Sequence, residues 1–173
     1  MKKILNIKEK IKPFNKSIFV EGDKSLSIRW VLISSLSKKK STAYNLLKSE
    51  DVMSSINCIK TLGSKVKFDQ NKCEIIGNGL NIKKKGQLFL NAGNSGTLGR
   101  IILGLLINSR NKIKLIGDKS LSKRDFSRVI KPLKKFGASF NVKKNLPLIM
   151  KGLKNPKPIK YIETRGSAQC KTS

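Results

Sequence analysis

Two stretches decide the fold: Asp51-Val-Met-Ser-Ser-Ile-Asn-Cys-Ile-Lys-Thr-Leu-Gly63 and Asp125-Phe-Ser-Arg-Val-Ile-Lys-Pro-Leu-Lys-Lys-Phe-Gly137. Both run 12 residues from Asp to Gly and start 74 positions apart. In the first, Val52, Ile56, Ile59 and Leu62 recur at the spacing of one helical face. Gly63 and Gly137 fall where a left-handed C-terminal cap belongs. After each Gly the period changes to two, in Ser64–Phe68 and Ala138–Val142, which predicts a strand. A second short strand follows in each, Cys73–Ile76 and Leu148–Met150.

The repetition extends upstream. Ser25-Leu-Ser-Ile-Arg29-Trp-Val-Leu-Ile aligns with Gly96-Thr-Leu-Gly-Arg100-Ile-Ile-Leu-Gly, and the two Arg lie 71 apart. These segments predict helices over Leu26–Ser37 and Thr97–Asn108. They are apolar nearly all round, which places them inside a domain. The unit reads strand, helix, strand, helix, strand, strand, and it occurs twice. Adding 71 to 96 reaches Ser167, in Arg165-Gly-Ser-Ala-Gln-Cys-Lys171, so a third copy opens just before the last residue, Ser173. The expected organisation is a first βαβαββ repeat over 21–90, a second over 91–152, and the start of a truncated third over 153–173.

Each copy places small polar residues ahead of a helix: Glu21-Gly-Asp-Lys24-Ser25, Asn91-Ala-Gly-Asn94-Ser95-Gly96-Thr97 and Gly166-Ser167-Ala168-Gln169. Unpaired N–H groups and the helix dipole at such a start favour an anion. The same residues also serve as ordinary N-caps. Recurrence in phase would bring all three starts to one end of the domain. Lys24 adds a full charge there. An Arg in an apolar helix needs a partner; Arg29 is assigned to a ligand and Arg100 to structure. Arg124, in Gly117-Asp-Lys-Ser-Leu-Ser-Lys-Arg124, reads either as an anion ligand at a helix start or as a partner of Asp118 or Asp125. Asp51 and Asp125, equivalent across the repeats, read as helix N-terminal carboxylates.

Composition bounds the function. The 173 residues carry a formal net charge of +28, with 38 Lys and Arg against 10 Asp and Glu and no His. Without His, no imidazole base is available within these residues. Three scattered Cys, Cys58, Cys73 and Cys170, make neither a disulfide framework nor a zinc pattern. The basic residues are 32 Lys and only 6 Arg. They are dispersed in runs such as Lys38–Lys40, Lys83–Lys85, Lys134–Lys135 and Lys143–Lys144, without interleaved aromatic platforms. That pattern describes a solvated surface better than a nucleic-acid footprint. No apolar run approaches the roughly 20 residues of a bilayer span, and Lys8, Glu9, Lys10 and Lys12 interrupt any secretory signal. The expectation is a cytoplasmic chain that binds neither nucleic acid nor membrane.

Four blocks, in order, resemble the 5-enolpyruvylshikimate-3-phosphate synthase family: Gly22-Asp-Lys-Ser-Leu-Ser-Ile-Arg29, Asn91-Ala-Gly-Asn-Ser-Gly-Thr97, Gly117–Arg124 and Ser167-Ala-Gln-Cys-Lys171. Ile28 and Asp125 depart from the residues common there, His and Pro. The resemblance implies an α/β (α+β) inside-out barrel of βαβαββ units with buried helices and outer sheets, here incomplete, with residues 1–20 a strand region of the other domain. It also implies an enzyme, a transferase moving the 1-carboxyvinyl group of phosphoenolpyruvate to shikimate 3-phosphate, in chorismate and aromatic amino acid biosynthesis. It implies no cofactor or metal, and a monomer when whole. Lys24 would be catalytic and touch both substrates. Ser25, Arg29, Ser167, Ala168 and Gln169 would hold shikimate 3-phosphate; Asn94, Gly96, Arg124 and Gln169 would hold phosphoenolpyruvate.

The rivals are a UDP-sugar enolpyruvyl transferase, a basic nucleic-acid-binding module and an inactive remnant. The first is disfavoured by Lys24-Ser25 in place of Lys-Asn and by the lack of Cys between Cys73 and Cys170. The acid and base carboxylates of the family fall outside these residues, so the 173-residue chain alone is expected to lack turnover.

Overall fold

The computed structural model of the chain describes residues 6, 8–10, 12–79, 82, 86–162, 164 and 166–173. Lys83–Lys85 and Arg165 lie outside the described residues.

The second helix of each repeat forms for the reasons its sequence gives. In the first copy, α2 spans Glu50–Thr61. Ser49 caps it by accepting from the Val52 N–H, and Glu50 and Asp51 place negative charge in its first turn. Val52, Ile56 and Ile59 are buried. The helix stops at Gly63, whose φ of 100° a side chain would resist. In the second copy, α5 spans Ser127–Lys135 and stops at Gly137, with φ of 109°. Pro132 lies inside α5. Its missing N–H leaves the Arg128 carbonyl without its helical donor, and the Cys170 thiol donates to that carbonyl instead at 3.1 Å.

The strands form two sheets. In the first, β1 (Lys40–Tyr44), β2 (Lys65–Phe68) and β3 (Lys72–Ile76) lie in the order β1-β3-β2, all antiparallel. In the second, β4 (Gln87–Asn91), β5 (Lys112–Ile116), β6 (Ser139–Phe140) and β7 (Leu148–Lys151) lie in the order β4-β5-β7-β6. There β4 and β5 are parallel, joined through α3 (Gly96–Leu105). The order β1-β3-β2 repeats as β5-β7-β6, so the two sequence copies are two structural copies. β6 is shorter than the alternation over 138–142 predicts. Beyond Phe140, Asn141 closes the ladder with its side chain, which accepts from the Ile149 N–H at 2.6 Å.

The first copy departs from the predicted unit at its leading strand. Residues 12–23 form neither helix nor strand, so nothing among the described residues matches β4 at the edge of β1. Ile18, Phe19 and Val20 are exposed there.

One face of each sheet is buried: Cys73 and Ile75 in one, Leu88, Leu90, Ile113, Leu115, Leu148 and Met150 in the other. The helices pack against those faces and one another, so they lie inside and the sheets outside. In α3 seven of ten residues are buried, as its all-round apolar pattern predicts. The more polar α1 (Lys24–Ser34) is buried on one side only, with Leu26 and Ile33 exposed. It packs on α2 and α3, and no described helix covers its outer flank. Among the described residues no helix is long and apolar enough to cross a membrane.

Candidate functional site

Three loops become helix starts by the same device, a side-chain oxygen accepting the N–H three residues on. Asp23 accepts from Leu26 at 2.7 Å, Ser95 from Leu98 at 3.3 Å, and Ser167 from Cys170 at 3.2 Å. These caps start α1, α3 and α6 (Ala168–Thr172). The three starts meet. Lys24, Asn94, Gly96, Thr97 and Gln169 line one cavity of about 320 Å3 with Asp51 and Arg124. All five residues expected to hold phosphoenolpyruvate (Lys24, Asn94, Gly96, Arg124 and Gln169) are therefore on its wall.

Polar contacts fix each group. Asn94 donates to Asp118 Oδ2 at 2.6 Å and accepts from Arg124 Nη2 at 2.7 Å. Asp118 thus orients the Asn94 amide, whose oxygen holds the guanidinium at the cavity wall. Gln169 is held from both ends: it donates to Thr97 Oγ1 at 3.0 Å and accepts from Arg100 Nη1 at 3.1 Å. Lys24 Nζ lies 3.2 Å from Asp51 Oδ2. Gly96 has a steric reason to be glycine. A Cβ there would stand 2.7 Å from Arg100 Nη1 and 3.3 Å from Arg124 Nη1.

Arg100 is structural, as its place in α3 suggests. Besides Gln169 it donates to the Gly96 carbonyl at 3.2 Å and the Asp125 carbonyl at 2.8 Å, and it sits 4.7 Å from the centre of the Phe126 ring. Partial burial lowers its pKa, and the neighbouring Arg124 and Arg128 charges lower it further against the opposing effect of Asp125. The site is therefore strongly positive.

Sequence reasoning misplaced Arg124. It does not open the second helix of the copy. A short helix, α4 (Lys119–Ser122), intervenes, and Arg124 lies in the turn between α4 and α5. Its side chain is bound to Asn94, one step removed from the suggested partner Asp118. Of the remaining candidates, Ser167 shares a second cavity with Gln169, and Ala168 is the first residue of α6. Ser25 and Arg29 line neither cavity: Arg29 folds back along α1, where Nη1 donates to Ser25 Oγ and to the Ser25 carbonyl.

Asp51 and Thr97 were not anticipated on this cavity wall, nor was Asp118 as the group that orients Asn94. One signal for Asp118 was available. The hexapeptide Gly-Asp-Lys-Ser-Leu-Ser occurs twice, at 22–27 and 117–122, and in both places the Asp caps a helix.

Comparison with known proteins gives the family. The EPSP synthase (3-phosphoshikimate 1-carboxyvinyltransferase) family model matches residues 8–173. A Caldicellulosiruptor saccharolyticus 3-phosphoshikimate 1-carboxyvinyltransferase is 38% identical over 159 residues, covering 90% of this chain and 36% of its own. The protein of that name from Streptococcus pyogenes serotype M1 is 37% identical over 164 residues, covering 93% and 38%. The chain thus spans a little over a third of the curated relatives it matches. Among solved structures, an EPSP synthase from Acinetobacter baumannii superposes with a TM-score of 0.80 at 28% identity, over 90% of this chain and 36% of that one. Two structural copies in series, three helix starts on one cavity and a family match reaching from residue 8 to residue 173 lead to one conclusion: the chain belongs to the EPSP synthase family.

Proposed function

We propose that this chain supplies the anion-clamping part of a transferase that moves the 1-carboxyvinyl group of phosphoenolpyruvate to shikimate 3-phosphate and releases phosphate. Within that reading, residues 21–90 and 91–152 are two repeats of one domain, 153–173 opens a third, and 1–20 belongs to a second domain. The observation that carries the proposal is the shared cavity: residues from three separate motifs, Lys24, Asn94–Gly96 and Gln169, line it together with Arg124.

The reaction adds an acceptor hydroxyl to C2 of the enol ether while C3 takes a proton. The tetrahedral adduct then loses phosphate. A proton donor at C3 and a base at the hydroxyl are required, and preorganised cations stabilise the phosphate and carboxylate charge throughout. Lys24 and Arg124 supply those cations. The α3 start and the small Gly96 let the ligand approach the backbone. Gln169, fixed by Thr97 and Arg100, presents a set amide orientation to both substrates. Lys24, ion-paired with Asp51, is the group here suited to electrostatic catalysis and proton transfer. Asp51 is the carboxylate of the cavity wall and is engaged with Lys24, so the chain alone binds without turning over.

Calorimetric titration of the purified chain with phosphoenolpyruvate tests this. Binding is expected, and Arg124→Gln should weaken it at least tenfold. Arg110, exposed in the turn beyond α3 and outside both cavities, provides the charge control. Equal binding by Arg124→Gln and Arg110→Gln would refute the assignment. Phosphate release by the pure chain given both substrates would refute its inactivity.

A further inference from the structure

The two structural copies carry their lysines differently on the outer faces of their sheets. In the first sheet, β1 and β3 set Lys40 opposite Ile76, Thr42 opposite Glu74 and Tyr44 opposite Lys72. Glu74 neutralises that face: Lys40 Nζ and Lys72 Nζ lie 3.3 and 2.7 Å from its carboxylate. At the equivalent positions of the second sheet, β5 and β7 set Lys112 opposite Lys151 and Lys114 opposite Ile149. Ile149 thus stands where the first copy has Glu74, and Lys151 where it has Ile76. No Asp or Glu occurs in β4, β5, β6 or β7, and none of the three Lys has an ion-pair partner among the described residues. Like charges directly opposite on antiparallel strands are destabilising, so this face lacks a counter-charge that the first copy has built in.

Along the sequence no aromatic interleaves the basic runs, and the charge reads there as a solvated surface. The pairing of β4 with β5 changes that for one face. It brings Phe89 opposite Lys114, 25 residues on, with Lys114 Nζ 5.6 Å from the ring centre. Phe89 is 59% exposed, and β4 is an edge strand, so no strand lies beyond the ring among the described residues. Gln87 and Asn91, two residues to either side, share its face and are exposed. On an exposed ring beside a row of cations a base stacks while its phosphates meet the ammonium groups. A bilayer fits this face poorly, because the ring lies beside an ammonium group and between two amides that would have to be desolvated.

We propose that the outer face of the second sheet binds single-stranded RNA. Phe89 stacks a base, Lys112, Lys114 and Lys151 meet the adjacent phosphates, and the Gln87 and Asn91 amides are offered to the ribose 2′-hydroxyls. Lys contributes point charges rather than the planar forks that read bases, so the binding is indifferent to sequence. It is independent of the transferase reading, because none of these residues lines the helix-start cavity or its neighbour.

The test is fluorescence anisotropy of a short labelled oligouridylate, titrated with the purified chain over a range of salt. Phe89→Ala should weaken binding at least fivefold without changing its salt dependence, and Phe89→Trp should restore it. Lys112→Gln combined with Lys151→Gln should weaken it several-fold and lower the slope of log affinity against log salt by about 1.4, at about 0.7 per phosphate contact. The control, Lys65→Gln combined with Lys67→Gln, removes the same charge from the outer face of the first sheet and should stay within twofold. All five side chains are exposed, so the variants should fold, and circular dichroism checks that they do. Oligothymidylate of the same length should bind several-fold more weakly. Inorganic polyphosphate, which has no bases, should bind Phe89→Ala and wild type alike. Equal losses in the two double variants, with none in Phe89→Ala, would reduce the effect to net charge and overturn the proposal. So would a wild-type affinity weaker than millimolar at low salt, equal binding of oligothymidylate, or a Phe89 requirement seen with phosphatidylserine vesicles and not with oligouridylate.

Discussion

Replacing Arg100 with Ala tests the claim that one side chain holds the third helix start in place. Its guanidinium donates to Gln169 Oε1, the Gly96 carbonyl and the Asp125 carbonyl, at 3.1, 3.2 and 2.8 Å, and faces the Phe126 ring at 4.7 Å. Hydrogen bonds from a charged group contribute about 1.5–3 kcal/mol each, but two effects reduce the total. The carbonyls are near enough to solvent to be rehydrated once the side chain is gone. Removal also relieves repulsion from Arg124 and Arg128, which lowers the Arg100 pKa in the native chain. A net loss of about 2–3 kcal/mol is expected, or a fall in Tm of roughly 4–10 °C for a chain of this size. The local effect should exceed the global one, because α6 has five residues and packs chiefly on α3. Hydrogen exchange at Lys171 and Ser173, whose amides bond to Ser167 and Gln169, should accelerate before that of α2 or α3. Arg100→Lys keeps the charge and loses the fork, so it should fall between the two. A loss below about 0.5 kcal/mol, with α6 protection unchanged, would show that Gln169 is held by other means.

Gly96→Ala should weaken phosphoenolpyruvate binding roughly tenfold, the loss of one charged hydrogen bond. Its Cβ would displace the ends of Arg100 and Arg124; because those ends are flexible, Tm should move by less than about 2 °C, and calorimetry with a thermal melt measures both. Asp51→Asn removes an anion from an anion-binding cavity and frees Lys24, so phosphoenolpyruvate should bind roughly threefold tighter, most clearly at low salt, with little change in stability because the pair is partly exposed; weaker binding would show that Asp51 holds Lys24 in its productive position. The Cys58 thiol, pushed up to about 12 by burial against a lowering contact with the Asn91 carbonyl, should resist thiol reagents at pH 8 in the native chain and react in denaturant. The protonated thiol is favoured by folding, so its contribution is complete below the unfolded pKa and is lost as pH rises from about 8.5 towards about 12; urea melts of the wild type and Cys58→Ala across that window should converge in their pH dependence if other titrations are shared.

The sequence was most legible where a local rule and a repeat agreed. The one-faced periodicity of α2 and the Gly closing it gave both helix and exit, because capping and amphipathicity act within a few residues. The leading strand of the first copy was not legible in that way. A strand exists by pairing, and Ile18, Phe19 and Val20 have apolar side chains but no strand pairs with them among the described residues. α1 reads from its apolar residues as a buried helix, yet Leu26 and Ile33 stay exposed, since burial depends on which elements lie alongside. The start of α5 was misread because Arg124 and Asp125 could cap or continue a helix, and contacts with Asn94 and Ser127 settled the matter.

The repeated hexapeptide Gly-Asp-Lys-Ser-Leu-Ser marks where sequence stops and tertiary structure begins. Six identical residues make the same cap twice, because an Asp accepting an N–H three residues on is a local geometry. The sequence by itself therefore determined the repeat, the caps, the basic character of the helix starts and the family. Only the tertiary structure made one copy begin an 11-residue helix and the other a helix of 4. It alone put Lys24 on the cavity wall with Gln169 from 145 residues away, and left Lys119 off that wall. The reason is physical: which backbone groups a side chain can cap depends on its neighbours in the chain, but which ligand it can reach depends on how separate elements pack.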